Sequence, residues 1–166
     1  MEKTDVLIIG GSAAGMVTAV TGKANWPGKK FTLVKKQKDV MVPCGIPYIF
    51  GTLEGSEKNI MPVDAMMEKS GVTSLVDEAV KIETGSKTVS FASGKQVKYD
   101  KLVIATGSNP IKPKWLQGAD LENVFVIPKD KMYLDDMKVK IDNAKNVAVI
   151  GAGFIGVELS DELAKK

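Results

Sequence analysis

Asp5-Val6-Leu7-Ile8-Ile9-Gly10-Gly11-Ser12-Ala13-Ala14-Gly15 is the stretch on which the fold of this chain turns. Val6 to Ile9 is an unbroken apolar run, mostly β-branched, that ends at glycine. A strand apolar at every position is buried on both faces, as in a parallel sheet. Beyond the glycines, Ala13 to about Lys23 reads as a helix of small residues. Trp26-Pro27-Gly28 punctuates it, and Phe31-Thr32-Leu33-Val34 supplies a second strand, which completes a βαβ unit. Within that unit Gly10, Ser12 and Gly15 have the G-x-G-x-x-G spacing, with serine replacing the second glycine. Gly10 permits a sharp exit from the strand, a small residue at 12 lets a pyrophosphate approach the backbone, and Gly15 permits close helix–strand packing. The phosphates would meet free amides around Ala13 and Ala14 at the helix N-terminus. The bland reading is a tight strand–helix turn that binds nothing. The preceding strand and following helix, which the motif requires, favour the dinucleotide site.

One element departs from the pattern. The second strand of such a unit normally ends in Asp or Glu, which accepts hydrogen bonds from ribose hydroxyls. Here that end reads Val34-Lys35-Lys36. A lysine has no acceptor, so Lys35 and Lys36 are expected to contact a phosphate instead.

Further along, residues 64–69 read as a helix. Short alternating segments at 79–82, 88–91 and 97–99, with turns at Gly85-Ser86 and Ser93-Gly94, read as a small antiparallel meander. Residues 101–105 return to a buried strand stopped by Thr106-Gly107, and residues 130–143 form a helix. Val147 to Ile150 opens another strand, followed at once by a second fingerprint: Gly151, Gly153, Gly156 and then Glu158. The expected fold class is α/β, a doubly wound parallel sheet with a small antiparallel β insertion and the start of a second Rossmann-like unit.

Composition is that of an ordinary globular chain, 44% hydrophobic and 26% charged over 166 residues. No apolar run is long enough to span a bilayer, and no signal-peptide pattern opens the chain, so a cytoplasmic location is expected. The net charge of +3 is mild. Lys29-Lys30 and Lys35, Lys36 and Lys38 read first as solvated faces that favour phosphate-bearing ligands. Neither aromatic interleaving nor a basic amphipathic helix points to nucleic acid. Histidine is absent, which removes imidazole base catalysis and the usual metal clusters from this segment.

Cys44 is the single cysteine, in Val42-Pro43-Cys44-Gly45-Ile46-Pro47-Tyr48. A lone cysteine is most often a small buried hydrophobe. Gly45 and two prolines shape the backbone tightly here, however, and residues 46–50 offer a helix start beside which a thiolate is stabilised. An internal disulfide is impossible. Oxidised Cys44 must be a sulfenic acid, a mixed disulfide with a small thiol, or an intermolecular bridge.

Together these residues resemble the FAD-dependent pyridine nucleotide-disulfide oxidoreductases. The similarity is greatest to the single-cysteine branch of coenzyme A disulfide reductases, NADH oxidases and persulfide or sulfur reductases. The resemblance covers the whole chain through four ordered motifs. Gly10 to Gly15 is similar to the FAD pyrophosphate loop and Pro43 to Tyr48 to the redox-cysteine loop. Ala105-Thr106-Gly107-Ser108 resembles the second FAD motif, and Gly151 to Glu158 the NAD(P)H fingerprint.

The resemblance implies that NAD(P)H passes a hydride to the flavin, which delivers electrons to Cys44 and then to a small disulfide, persulfide or oxygen. It places Pro43, Val80, Ala105, Thr106 and Gly107 at the flavin nucleotide, and Phe154 and Ile155 on the nicotinamide path. Ala13 stands where peroxidases of this branch carry histidine, which points away from peroxide chemistry. Thr21, with Lys23 nearby, falls where coenzyme A reductases often have a basic residue. The implied division is an FAD-binding part over 1–110, with the β insertion from about 72 to 100. A connecting segment with a helix follows over 111–145, and a truncated NAD(P)-binding domain starts at 146–166. A third FAD segment and a C-terminal dimerisation domain, typical of the family, cannot fit in 166 residues. The reading is therefore an inactive front part of a homodimeric reductase acting on a small thiol or disulfide. The rival reading is a standalone nucleotide-binding or redox-sensing module.

Overall fold

A computed structural model describes residues 1–165. The chain forms two compact units, residues 1–40 with 61–107, and residues 41–60 with 108–165. It leaves the first unit at β3 (Val40–Met41) and returns at β4 (Ile60–Met61), two-residue strands paired with each other.

The first unit is an α/β sandwich built outward from β1 (Glu2–Ile9). This strand pairs in parallel with β2 (Phe31–Lys35) on one side and β8 (Gln96–Ile104) on the other. β5 (Thr73–Val76) extends the sheet in parallel beyond β2, while β7 (Thr88–Phe91) and β6 (Ala79–Glu83) extend it antiparallel beyond β8. The strand order is β5-β2-β1-β8-β7-β6. The apolar run of β1 is used on both faces. Ile8 joins Phe31, Leu33 and Ala19 in a core with Val63 and Met67. Those residues come from α1 (Ala13–Asn25) and α2 (Val63–Lys69) as well as from the sheet. Leu7 and Ile9 join Val34 on the opposite face, where Val89, Phe91, Val97 and Tyr99 complete a second core.

The expected antiparallel meander forms from β6, β7 and the start of β8, and it continues the same six-stranded sheet. Residues 97–99 and 101–105, which read as two segments, run as one strand, because the charged pair Asp100-Lys101 does not interrupt the ladder to β1. Residues 73–76, expected inside the insertion, belong to the parallel layer.

In the second unit, α3 (Lys131–Asp142) begins where Asp130 accepts a hydrogen bond from Tyr133 N, an N-cap that satisfies an otherwise open amide. Its Leu134, Met137 and Ile141 pack with Met41, Ile46, Ile49 and Phe50, and with Leu159 of α4 (Phe154–Leu163). The strand expected at 147–150 does not form, and Val147 and Ile150 are exposed. A strand needs a neighbour to pair its backbone, and residues 147–150 enter neither sheet of the described residues. Among the described residues no helix is long and apolar enough to cross a membrane.

Leu33 is fully buried against both helices' core. Leu33→Ala is expected to cost about 2–5 kcal/mol, read as a lower urea midpoint, whereas Val17→Ala on the exposed side of α1 stays within about 0.5 kcal/mol.

Candidate functional site

Both fingerprints fold into the same turn. Gly10 has φ +119° and Gly151 φ +121°, a region that side-chain-bearing residues avoid. A Cβ on Gly15 would lie 1.8 Å from Gly10 O, and one on Gly156 would lie 2.0 Å from Gly151 O. The N-cap residues are alike too, Ser12 at φ −83°, ψ −170° and Gly153 at φ −77°, ψ 176°. Met16 N donates to Ser12 O and Val157 N to Gly153 O, so the two helices start at equivalent places. Amides of the first helical turn have no intrahelical acceptor, and such a turn offers them to an anion.

The first loop carries an additional sign of a ligand. Ser12 Oγ is buried without a hydrogen-bond partner, and the serine makes no side-chain cap to α1. Buried hydroxyls are nearly always paired, and a phosphate oxygen at the loop would pair this one. Ala13 and Ala14 are exposed beside it. The residues present thus fit the pyrophosphate of a dinucleotide.

Of the other predicted residues in the first unit, Ala105 and Thr106 lie against this loop. Ala105 N donates to Ile9 O at 2.8 Å, and Ala105 O sits 2.1 Å from where a Gly10 Cβ would be. Thr106 and Gly107 follow, exposed, with Gly107 at φ +75°. At the end of β2, Asp77 N donates to Lys35 O, and Lys36 pairs with Glu78 at 2.8 Å, which brings the start of β6 alongside. Val80 is exposed at a register shift between Ala79 and Lys81, a bulge of the kind that re-aims a side chain. Lys35 differs from expectation. Its ammonium is buried and held by Lys38 O and Asp64. Internal partners, not an approaching phosphate, satisfy it, because the alternation along β2 turns residue 35 to the same side as the buried Phe31 and Leu33.

In the second unit, Cys44 is exposed on a three-residue 3₁₀ turn, Pro43–Gly45, followed by another at Pro47–Phe50. The helix start expected over 46–50 forms as the second of these 3₁₀ turns. Two prolines within five residues restrict the backbone to short turns. The turn is braced by Asn59, a residue no motif singles out. Val42 N donates to Asn59 O at 2.9 Å, and Asn59 Nδ2 donates to Val42 O at 3.0 Å. Asn59 Oδ1 also lies 2.0 Å from where a Gly45 Cβ would stand, so only glycine fits there.

A second unforeseen residue is Glu162 in α4, buried and 110 residues from its partner. It accepts from Thr52 N at 2.6 Å and Thr52 Oγ1 at 3.1 Å, and from Lys165 Nζ. Lys165 and the Thr52 amide hold its carboxyl down at about 2. In the same helix Glu158 is half-buried, Ile155 exposed and Phe154 91% exposed.

A profile of the pyridine nucleotide-disulphide oxidoreductases matches residues 4–166. This chain belongs to that family. Among its relatives, a NAD(P)H coenzyme A polysulfide/persulfide reductase of Pyrococcus horikoshii is 33% identical over 98% of this chain and 37% of its own length. An NADH oxidase of Lactococcus lactis is 31% identical over 97% of this chain and 37% of its own length. The chain thus spans 27% to 37% of the length of the curated relatives it matches. The solved structure of reduced Bacillus anthracis CoADR-RHD superposes with a TM-score of 0.82 at 25% identity, over 99% of this chain and 31% of that one.

Because the Glu162 carboxyl is held at about 2, below its ordinary 4.5, its contribution to stability is complete above the ordinary value and is lost as pH falls through the folded one. Glu162→Gln is expected to lower the urea midpoint. That difference from wild type should hold constant above about pH 4.5 and shrink toward about pH 2, as a pH series of denaturation curves will show.

Proposed function

We propose that this chain binds FAD and NAD(P)H as the front part of a flavoprotein oxidoreductase of the coenzyme A disulfide reductase or NADH oxidase type, with Cys44 as its redox thiol. The observation that carries this reading is the repeated loop geometry. Two glycine turns of nearly identical conformation flank an exposed lone cysteine in the sequence of one chain.

In this reading the amides of Ala13, Ala14 and Gly15 and the hydroxyl of Ser12 bind the FAD pyrophosphate. Val80 flanks the adenine, and Pro43, Ala105, Thr106 and Gly107 line the flavin nucleotide. Gly151, Gly153, Gly156 and Glu158 bind NAD(P)H, with Phe154 and Ile155 on the nicotinamide path. Bound flavin supplies the means to take a hydride from nicotinamide and pass an electron pair to sulfur. The Cys44 thiolate would displace one thiolate from coenzyme A disulfide or another small disulfide, leaving a mixed disulfide that an electron pair reduces to the Cys44 thiolate and the second free thiol. Where oxygen is the acceptor, its two-electron reduction to peroxide would come first, and Cys44 would take one peroxide oxygen as a sulfenic acid with release of hydroxide. Asn59 keeps the Pro43–Gly45 turn in one shape while the sulfur changes partner. The domain division follows: an FAD part through about residue 110, a connection to 145, and the first elements of an NAD(P) domain from 146. The complete protein in this reading is a cytoplasmic homodimer.

The test is the visible spectrum of the purified chain after addition of FAD and desalting. Retained flavin bands are expected in wild type and their loss in Gly15→Ala, whose methyl would collide with Gly10 O. Absence of bands both here and in a polypeptide extended past residue 166 would overturn the reading. A stop codon directly after Lys166 would favour the standalone module. In the extended protein, Cys44→Ser should keep the flavin and lose disulfide reduction, and undiminished turnover would remove Cys44 from the chemistry.

A further inference from the structure

The end of β2 has the wrong charge for a ribose, and the structure shows what lies against it. Lys35 is only 2% exposed. Its Nζ donates to Lys38 O at 2.6 Å and to Asp64 Oδ2 at 2.8 Å. Its Cβ lies 2.6 Å from where a side chain on Gly11 would begin, so the lysine stem starts against the backbone of the fingerprint loop. A buried ammonium is costly unless paired, and the pairing fixes where the Asp64 carboxylate sits. Ser74 Oγ donates to the other oxygen, Asp64 Oδ1, at 2.8 Å. Yet the Asp64 side chain is 58% exposed. Each carboxylate oxygen can accept about two hydrogen bonds, so both retain capacity toward solvent. The Lys35 and Ser74 donors hold the carboxyl below the usual carboxylate range, which keeps it an acceptor at neutral pH.

Other carboxylates near the end of β2 are engaged differently. Asp77 already accepts from Glu78 N, Ser93 N and Ser93 Oγ. Glu78 is paired with Lys36. Asp64 is the one tied to Lys35 itself, on the face of the sheet that Gly11 covers.

We propose that Asp64 accepts hydrogen bonds from the adenosine ribose hydroxyls of the dinucleotide, in place of the acid that β2 lacks, with Lys35 as its positioning residue. The acid has moved in sequence from the end of β2 to the first turn of α2, and the ion pair returns it to the same corner of the site. This inference rests on the reading of the Gly10–Gly15 loop as the FAD site.

The test is a fluorescence titration of the whole chain with FAD and with an FAD analogue that lacks the adenosine 2′- and 3′-hydroxyls. Hydrogen bonds to a charged acceptor imply that wild type prefers FAD by about tenfold or more. Asp64→Asn should weaken FAD binding while leaving the analogue nearly unchanged, so the preference collapses. Should Asp64→Asn fail to fold around an under-paired ammonium, Lys35→Met combined with Asp64→Ala removes both charges and should show the same loss of preference. Lys35→Glu in the Asp64→Asn background returns an acid to β2 and should restore the preference, which a merely structural Asp64 would not allow. A wild-type chain that binds both ligands equally, or variants that keep the wild-type preference, would overturn the inference. A wild-type chain that binds neither ligand defeats the underlying FAD reading, and this inference with it.

Discussion

Backbone meets backbone at Gly10, and the first unit is arranged around that approach. The Ala105 carbonyl occupies the space a side chain at residue 10 would need, and Ala105 N closes the ladder to Ile9 O. This contact brings the C-terminal ends of β1 and β8 together and fixes the turn that aims α1 at the end of the sheet. The positive φ of Gly10 follows from the same constraint, since the chain must leave β1 without colliding with β8.

The second loop shows how far such a turn depends on its surroundings. Gly151 and Gly156 repeat the geometry of Gly10 and Gly15 within a few degrees and tenths of an ångström. Nothing lies within 4 Å of a Cβ at Gly151, however, and residues 147–150 form no ladder. The turn is therefore locally encoded by glycine and by the start of α4, whereas its strand is not. α4 is secured at its other end, where Glu162 holds the Thr52 amide and Leu159 joins the core beneath the Cys44 segment.

The membership in the pyridine nucleotide-disulphide oxidoreductases gives these parts a common setting. Relatives that share the arrangement bear names of coenzyme A persulfide reductases and NADH oxidases. The departures of this chain from the fingerprint are concentrated at the end of β2. There a buried lysine, paired with Asp64, stands where an acid is the rule for such units.

Much of this was legible in sequence, and the reason is local. The apolar run of residues 6–9, the glycine spacing and the helix over residues 130–143 act over a turn or two of chain, so residue order determines them. Two motif stretches far apart in sequence, Gly10 and Ala105-Thr106, lie against each other in the first unit. What sequence order left open were contacts between distant segments. It left the strands at 97–99 and 101–105 separate because continuity depends on the neighbour strand, β1. It promised a strand at 147–150 because apolar β-branched residues favour one, although a strand exists only when another backbone completes its hydrogen bonds. The roles of Lys35 with Asp64, Asn59 with Val42, and Glu162 with Thr52 rest on separations of 17 to 110 residues. No local pattern encodes such pairs. Burial selects them, since a charge or amide withdrawn from water must find its partner wherever the fold brings one.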